Sequence, residues 1–273
     1  MGRHVPFGKR MDVRKYKRDT ALQMQRLWRK GKKFIISITD SIERDGFVVV
    51  PLDGLGGWTK ESKEYAAQLI SESEYTETIF QRVGNPALQD GPPRVQIHFD
   101  DLSKDQKKTL KEWGASNKSV QALMKKAFPR LQAKPGTAIY NGAIRQDLHM
   151  DQAWTEPFRE FRKNAPANGI PCSVLVATDT GTFFWVCKGS HKELEDLAKG
   201  GSCKEIPAVL VHIPKGNACI FRSDLVHAGA KYWKNNLRLH YFYDHPQNLR
   251  EDNTTGDIQD VHEKAGDYFY FLN

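Results

Sequence analysis

Two patterns of apolar and polar positions divide the chain near residue 135. Before it, the spacing is mostly helical. The segment from Phe34 predicts a short helix ending near Asp45-Gly46, followed by a strand Phe47–Val50. Glu61–Glu74 predicts an amphipathic helix with Tyr65, Leu69 and Ile70 on its apolar face, and Arg94–Phe99 a strand. Gly84-Asn85-Pro86 and Gly91-Pro92-Pro93 mark 79–93 as loop. Lys104–Trp113 and Asn117–Phe128 predict two further helices, with Asn117 as N-cap. Beyond Lys134-Pro135-Gly136, short apolar or alternating runs recur: 137–144, 173–178, 182–187, 208–213, 218–221, 225–228 and 237–243. Gly, Pro, Asn or charged turns separate them, as an antiparallel sandwich requires. The expected architecture is mainly β, a jelly roll buttressed by a helical N-terminal third.

Composition refines this. The 273 residues are ordinary for a globular chain, 39% hydrophobic and 11% aromatic, and suffice for a sizeable core. No apolar run approaches membrane-spanning length, and the N-terminus lacks a signal-type apolar stretch. Met1-Gly2 opens like a myristoylation site, but Pro6 stands where Ser or Thr is needed. Four cysteines without a C-x-x-C pair predict neither a zinc knuckle nor a disulfide framework, and hence a reducing, intracellular setting.

The net charge of +8 is concentrated: residues 1–33 hold 12 Lys/Arg against Asp12 and Asp19, leaving the rest of the chain slightly acidic. We therefore separate a basic extension, 1–33, from a single domain, 34–273, with its jelly-roll core at about 137–245. Lys17-Arg18 and Arg29-Lys30-Gly31-Lys32-Lys33 have the spacing of a two-part nuclear signal, which favours nucleus over cytoplasm, and residues 9–33 could bind nucleic acid. Ala21, Met24, Leu27 and Trp28 also fit a docked helix. Nothing predicts a membrane partner.

Candidate chemistry lies in the β-rich part. His149-x-Asp151 on an extended segment would point an imidazole and a carboxylate to one side. With His227 they would form a two-histidine, one-carboxylate face with open positions, suited to non-haem Fe(II). H-x-D alone is weakly specific, since it occurs again at His98-Phe99-Asp100. Arg238, within Leu237–Tyr243, is a candidate carboxylate clamp. A hairpin centred near Tyr232-Trp233 would set 227 opposite 238; one centred on Asn235-Asn236 would not.

E-R-D-G-F-V-V-V-P at 43–51, L-H-M-D at 148–151, G-T-F-F-W-V-C-K-G-S-H-K at 181–192, K-G-N-A-C-I-F-R-S-D-L-V-H-A-G-A at 215–230 and L-R-L-H-Y at 237–241 occur in that order. The set resembles Fe(II)- and 2-oxoglutarate-dependent dioxygenases, in particular the phytanoyl-CoA dioxygenase-like branch. That resemblance implies a double-stranded β-helix (jelly roll, cupin-like). It implies Fe(II) on His149, Asp151 and His227, and 2-oxoglutarate on Arg238, and use of O2 to hydroxylate a C–H bond with release of succinate and CO2. Asp151 favours hydroxylation, because halogenating relatives carry a small residue there.

Tyr140 and Asn141 are further candidates for the cosubstrate, and Trp154, Trp185 and Arg145 for the substrate. His191 fits the G-S-H element as a loop-shaping residue, and His212 and His240 read as structural. Two departures stand out: Lys188 precedes Gly189 where proline is usual, and His240 replaces the common Ser or Thr two residues after the arginine. The alternatives are a nuclear dioxygenase acting on nucleic acid or protein, an inactive jelly-roll binding module, and a metal-dependent hydrolase.

Overall fold

The computed structural model describes residues 32–52, 58–72, 95–133, 137–141, 148–152, 154–194, 208–230, 232 and 236–248. The basic extension with its helix and signal readings, the loop 79–93, and Arg145 lie outside the described residues, apart from Lys32 and Lys33. Those two open the first helix.

In chain order the elements are helix α1 (Lys32–Asp45), strand β1 (Phe47–Pro51), α2 (Lys60–Glu72), β2 (Val95–His98), α3 (Lys104–Thr109), α4 (Lys111–Ala127), β3 (Gln132–Ala133) and β4 (Thr137–Asn141). There follow α5 (Glu156–Asn164), β5 (Cys172–Ala177), β6 (Thr182–Cys187), β7 (Ala208–Ile213), β8 (Asn217–Arg222), β9 (His227–Gly229) and β10 (Asn236–Asp244). Among the described residues the large sheet runs β1-β8-β5-β10-β4-β2, with β3 added on β10, and the small sheet runs β7-β6-β9. All pairings are antiparallel. The fold is the expected jelly roll with helices against it. Its sheets reach further back in sequence than the β-rich part, because β1 and β2 are the two edges of the large sheet.

The large sheet is buried on both faces. Val174, Val176, Ala218, Ile220, Leu237 and Leu239 point outward into the layer of α1 and α4, against Ile38, Ile42, Trp113 and Val120. Leu175, Ala177, Cys219 and Phe221 point inward against Phe184, Val186, Val211 and Ile213 of the small sheet. Strands β5 and β8 consequently show no polar alternation and are buried throughout. Alpha-helical spacing of Trp113, Ser116, Val120, Met124 and Ala127 gives α4 its single buried stripe.

Asn117 is not a cap. The break falls at Leu110, Ser103 caps α3 in a capping box with Gln106, and Asn117 lies inside α4. Burial of Trp113 and Val120 on either side carries the helix through a residue that prefers its end. A second correction concerns 227 and 238, which are not partners in a hairpin of either register. His227 pairs with Val186 of the small sheet, whereas Arg238 pairs with Ala177 and Ile139 of the large one. Between them the chain changes sheets. Tyr232 pins that crossing, its hydroxyl accepting from Phe183 N (3.0 Å) and donating to Phe183 O (2.5 Å).

Gly46 ends α1 with φ +84, its N–H bonded to Ile42 O (3.0 Å) and its carbonyl accepting from Arg222 N (2.9 Å). A Cβ there would lie 2.5 Å from Leu225 Cδ1 and 2.8 Å from His191 Nδ1. Gly181 has a similar φ of +82, but a Cβ would meet only Phe183 Cε2 at 3.8 Å. In urea unfolding, Gly46→Ala is expected to cost about 3 kcal/mol, from backbone strain plus overpacking, and Gly181→Ala about 1 kcal/mol. Equal losses would contradict the close packing of Gly46.

Candidate metal centre

His149, Asp151 and His227 each offer a ligand atom, all within 4.8 Å of one another. Residues 149–151 do not form the regular strand expected. A two-way backbone bridge holds them instead: His149 N donates to His227 O and His227 N to His149 O, each at 2.8 Å. The imidazole centroids lie 4.4 Å apart. Asp151 Oδ1 is 3.3 Å from His227 Nε2 and 3.9 Å from His149 Nε2. Side-chain exposure is 14% for His149 but 5% for Asp151 and 3% for His227, so the open side of the cluster is that of His149.

His227 has its ring oriented from behind. Nδ1 lies 2.8 Å from Leu225 O, and since a carbonyl only accepts, Nδ1 carries the proton and Nε2 presents its lone pair to the cluster. The ring is packed between Phe184 (5.1 Å) and Phe221 (4.7 Å). Both phenyl groups come from the inner faces of the sandwich and close off one side of the cluster.

Asp224, three residues before His227, fixes this corner. Burial alone would push its carboxyl up, but Arg222 and Arg162 hold it below the usual carboxylate range. Arg222 pairs with both oxygens at 2.7 Å, and Arg162 Nε reaches Oδ2 at 2.8 Å. Arg162 also donates to His191 O and stacks over Trp154 at 5.3 Å. One buried carboxylate thereby ties α5, the G-S-H turn and the segment leading to His227. Helix α5 carries Arg162 to this carboxylate.

Arg238 stands on the inner face of β10, 2% exposed. Its Nη1 donates to Asn236 O at 3.3 Å and its Cζ lies 5.1 Å over the Tyr232 ring. Nη2 is buried with no hydrogen-bond partner among the described residues. Desolvation by burial lowers its pKa, with Tyr232 acting in the opposite direction. His240, two residues along the same face, places Nε2 3.7 Å from Asp151 Oδ2. The guanidinium therefore starts about 7 Å along the strand from a residue that touches the cluster.

Ser173 and His240 are the neighbours of the cluster that sequence reasoning did not assign to it. Ser173 Oγ donates to Asp151 Oδ2. A lone serine in the otherwise apolar run of β5 was the available signal. Trp154 packs against the outer cluster containing Leu148 and Met150, the chain neighbours of His149. Trp185 pairs with Ala228 and packs in that outer cluster, on the opposite face of β6 from Phe184. Tyr140 and Asn141 hold backbone register opposite Leu237 and Asn236; their side chains are outside what the structure describes. The second H-x-D, at His98, lies at the far edge of the large sheet, on β2 and the turn after it.

No protein-family model and no curated protein matches the chain. Its structure is similar to the non-heme α-ketoglutarate-dependent epimerase SnoN from nogalamycin biosynthesis, with TM-score 0.52, 17% identity, and coverage of 82% of this chain and 89% of that one. It is also similar to HygX from Streptomyces hygroscopicus with nickel, 2-oxoglutarate and hygromycin B bound (TM-score 0.50, 12% identity, 82% and 92% covered). A third such structure is AviO1 from Streptomyces viridochromogenes Tue57 (0.50, 15%, 77% and 95%). At these identities the likeness establishes the fold alone, the jelly roll shared with these structures. Nothing in it singles out the phytanoyl-CoA dioxygenase-like branch.

His191 lies against Gly46, with Nε2 3.0 Å from Glu43 O. Desolvation first, then the nearby Arg222 charge, pushes its pKa down from 6.5 to about 4. Between those values the unfolded chain takes up a proton that the native one refuses. The native state therefore keeps its full stability above pH 6.5 and loses up to roughly 3 kcal/mol as pH falls through 4. Urea unfolding at pH 7, 5.5 and 4 should show a steep wild-type decline and a shallower one for His191→Gln. Parallel declines would count against the buried neutral imidazole.

Proposed function

We propose that this chain is an Fe(II)- and 2-oxoglutarate-dependent oxygenase that hydroxylates a C–H bond of an organic substrate. The observation that carries the reading is the pairing of a ligand cluster with an unmatched buried cation on one face. His149, Asp151 and His227 supply the donor set of a non-haem iron site with positions to spare. A buried guanidinium lacking an anion costs several kcal/mol, and a ligand carboxylate at Nη2 of Arg238 would remove that cost. A five-carbon dicarboxylic keto acid has a chelating end for the metal and a carboxylate for the arginine.

When bound, Fe(II) and 2-oxoglutarate supply the oxidising power, drawing on O2 and releasing succinate and CO2. The protein's own part is placement. The Leu225 carbonyl keeps the proton of His227 on Nδ1, Phe184 and Phe221 keep water from the back of the cluster, and Arg238 sets the direction of the diacid. The open side by His149 is where a substrate would enter. Epimerisation is the second reading, favoured by the likeness to SnoN, and it would use the same residues.

Anaerobic addition of Fe(II) and then 2-oxoglutarate should produce the weak visible charge-transfer band of the chelate. His149→Ala should abolish it. Arg238→Met should still bind Fe(II) but weaken 2-oxoglutarate about 100-fold, the loss of a charge-assisted pair worth about 3 kcal/mol. A wild-type protein that shows no band, in either order of addition, would sink the proposal in favour of a binding module.

A further inference from the structure

The two oxygens of Asp151 face different parts of the molecule. Oδ1 looks to the imidazoles of His227 (3.3 Å) and His149 (3.9 Å). Oδ2 is turned to the large sheet, where it accepts from Ser173 Oγ and lies 3.7 Å from His240 Nε2. Neither sheet residue has room to drift. Ser173 is fully buried on β5, which is hydrogen-bonded on both sides, to Phe221 of β8 and Phe242 of β10. His240 lies flat against Phe221 (5.9 Å, 25°) and beside Phe242 (4.4 Å).

We infer that Ser173 and His240 are positioning residues that hold Oδ2 back, so that Asp151 offers a metal one oxygen and not two. This rests on the proposed Fe(II) site. The consequence is a count of open positions. A carboxylate free to rotate can chelate with both oxygens and so fill a position the keto acid needs. Ser173 occupies Oδ2 by a hydrogen bond, and the edge of His240 closes its other approach. Because both groups stand on the strands that form the wall beneath Arg238, the same wall that grips the diacid also keeps its metal positions clear.

The test uses Co(II) as the metal probe, whose visible absorption changes in intensity and position with coordination number. Ser173→Ala removes the hydrogen bond, and His240→Phe keeps the packing between Phe221 and Phe242 while deleting the nitrogen. At saturating Co(II), each variant should show an altered spectrum and bind 2-oxoglutarate about 10-fold or more weakly, within the usual range for groups behind a metal ligand. Thermal unfolding of the metal-free proteins separates this from a loss of fold. Should one variant fail to fold, the other decides. Spectra and 2-oxoglutarate affinities indistinguishable from wild type, whatever the change in Co(II) affinity, would overturn the inference. A wild type that binds no Co(II) would instead remove the metal site on which it rests.

Discussion

The two hydrogen bonds between the backbones of His149 and His227 set the geometry on which the rest of the centre depends. They join segments that are distant in sequence, and they do so at the ligand residues themselves. Imidazoles anchored on directly bridged residues have little freedom to separate, so their spacing is a property of the backbone and not of rotamer choice. Asp151 then needs only the bend after Met150 to reach them. The bridge also explains why His149 can be a ligand without belonging to a regular strand: β9 supplies the regularity, being paired to β6 on its other side.

Buried charge in this molecule falls into two kinds. Asp224, Arg222 and Arg162 form a closed set, with the carboxylate oxygens matched by guanidinium groups at 2.7 and 2.8 Å. Such a set is costly to break and holds its neighbours in place. Arg238 is the opposite case: among the described residues its Nη1 donates to a carbonyl at 3.3 Å and its Nη2 has no hydrogen-bond partner. A fold that satisfies one buried guanidinium and leaves another open on the same side as three metal-ligand candidates has a physical reason to bind an anion there.

Much of this was legible in the chain. Strands β5 to β8 matched their apolar runs within a residue or two, and a charged residue inside Leu237–Tyr243 identified Arg238. What failed was non-local. The pattern over 225–243 suits a hairpin as well as a change of sheet, because both need only two apolar runs and a polar link; the choice is made by Tyr232 gripping Phe183, residues whose meeting no spacing rule encodes. Asn117 misled for a related reason, its capping preference being outweighed by burial on both sides. The helix α5 has only Phe158 fully buried, too little of a stripe to see. Ser173 and His240 carried a visible signal, a polar group on a buried strand, but that signal does not name the partner.

The sheets divide the work. The small sheet and the segment bridged to it carry all three candidate ligands, while the large sheet contributes the cation and the groups that touch the far oxygen of Asp151. Because the large sheet is buried on both faces and clamped between two cores, its inner wall is the rigid reference of the site. The segment carrying two of the candidate ligands is tied to that wall: Gln152 N bonds to Ser223 O at 3.1 Å, and Asp151 is held by Ser173. A change on the wall therefore reaches the centre through Asp151, whose Oδ2 meets Ser173 and His240 of the large sheet. His227, oriented by Leu225 and walled by Phe184, is shielded from it except through Phe221. Asp151 is thus the group through which the packing of the fold and the chemistry of the site constrain each other.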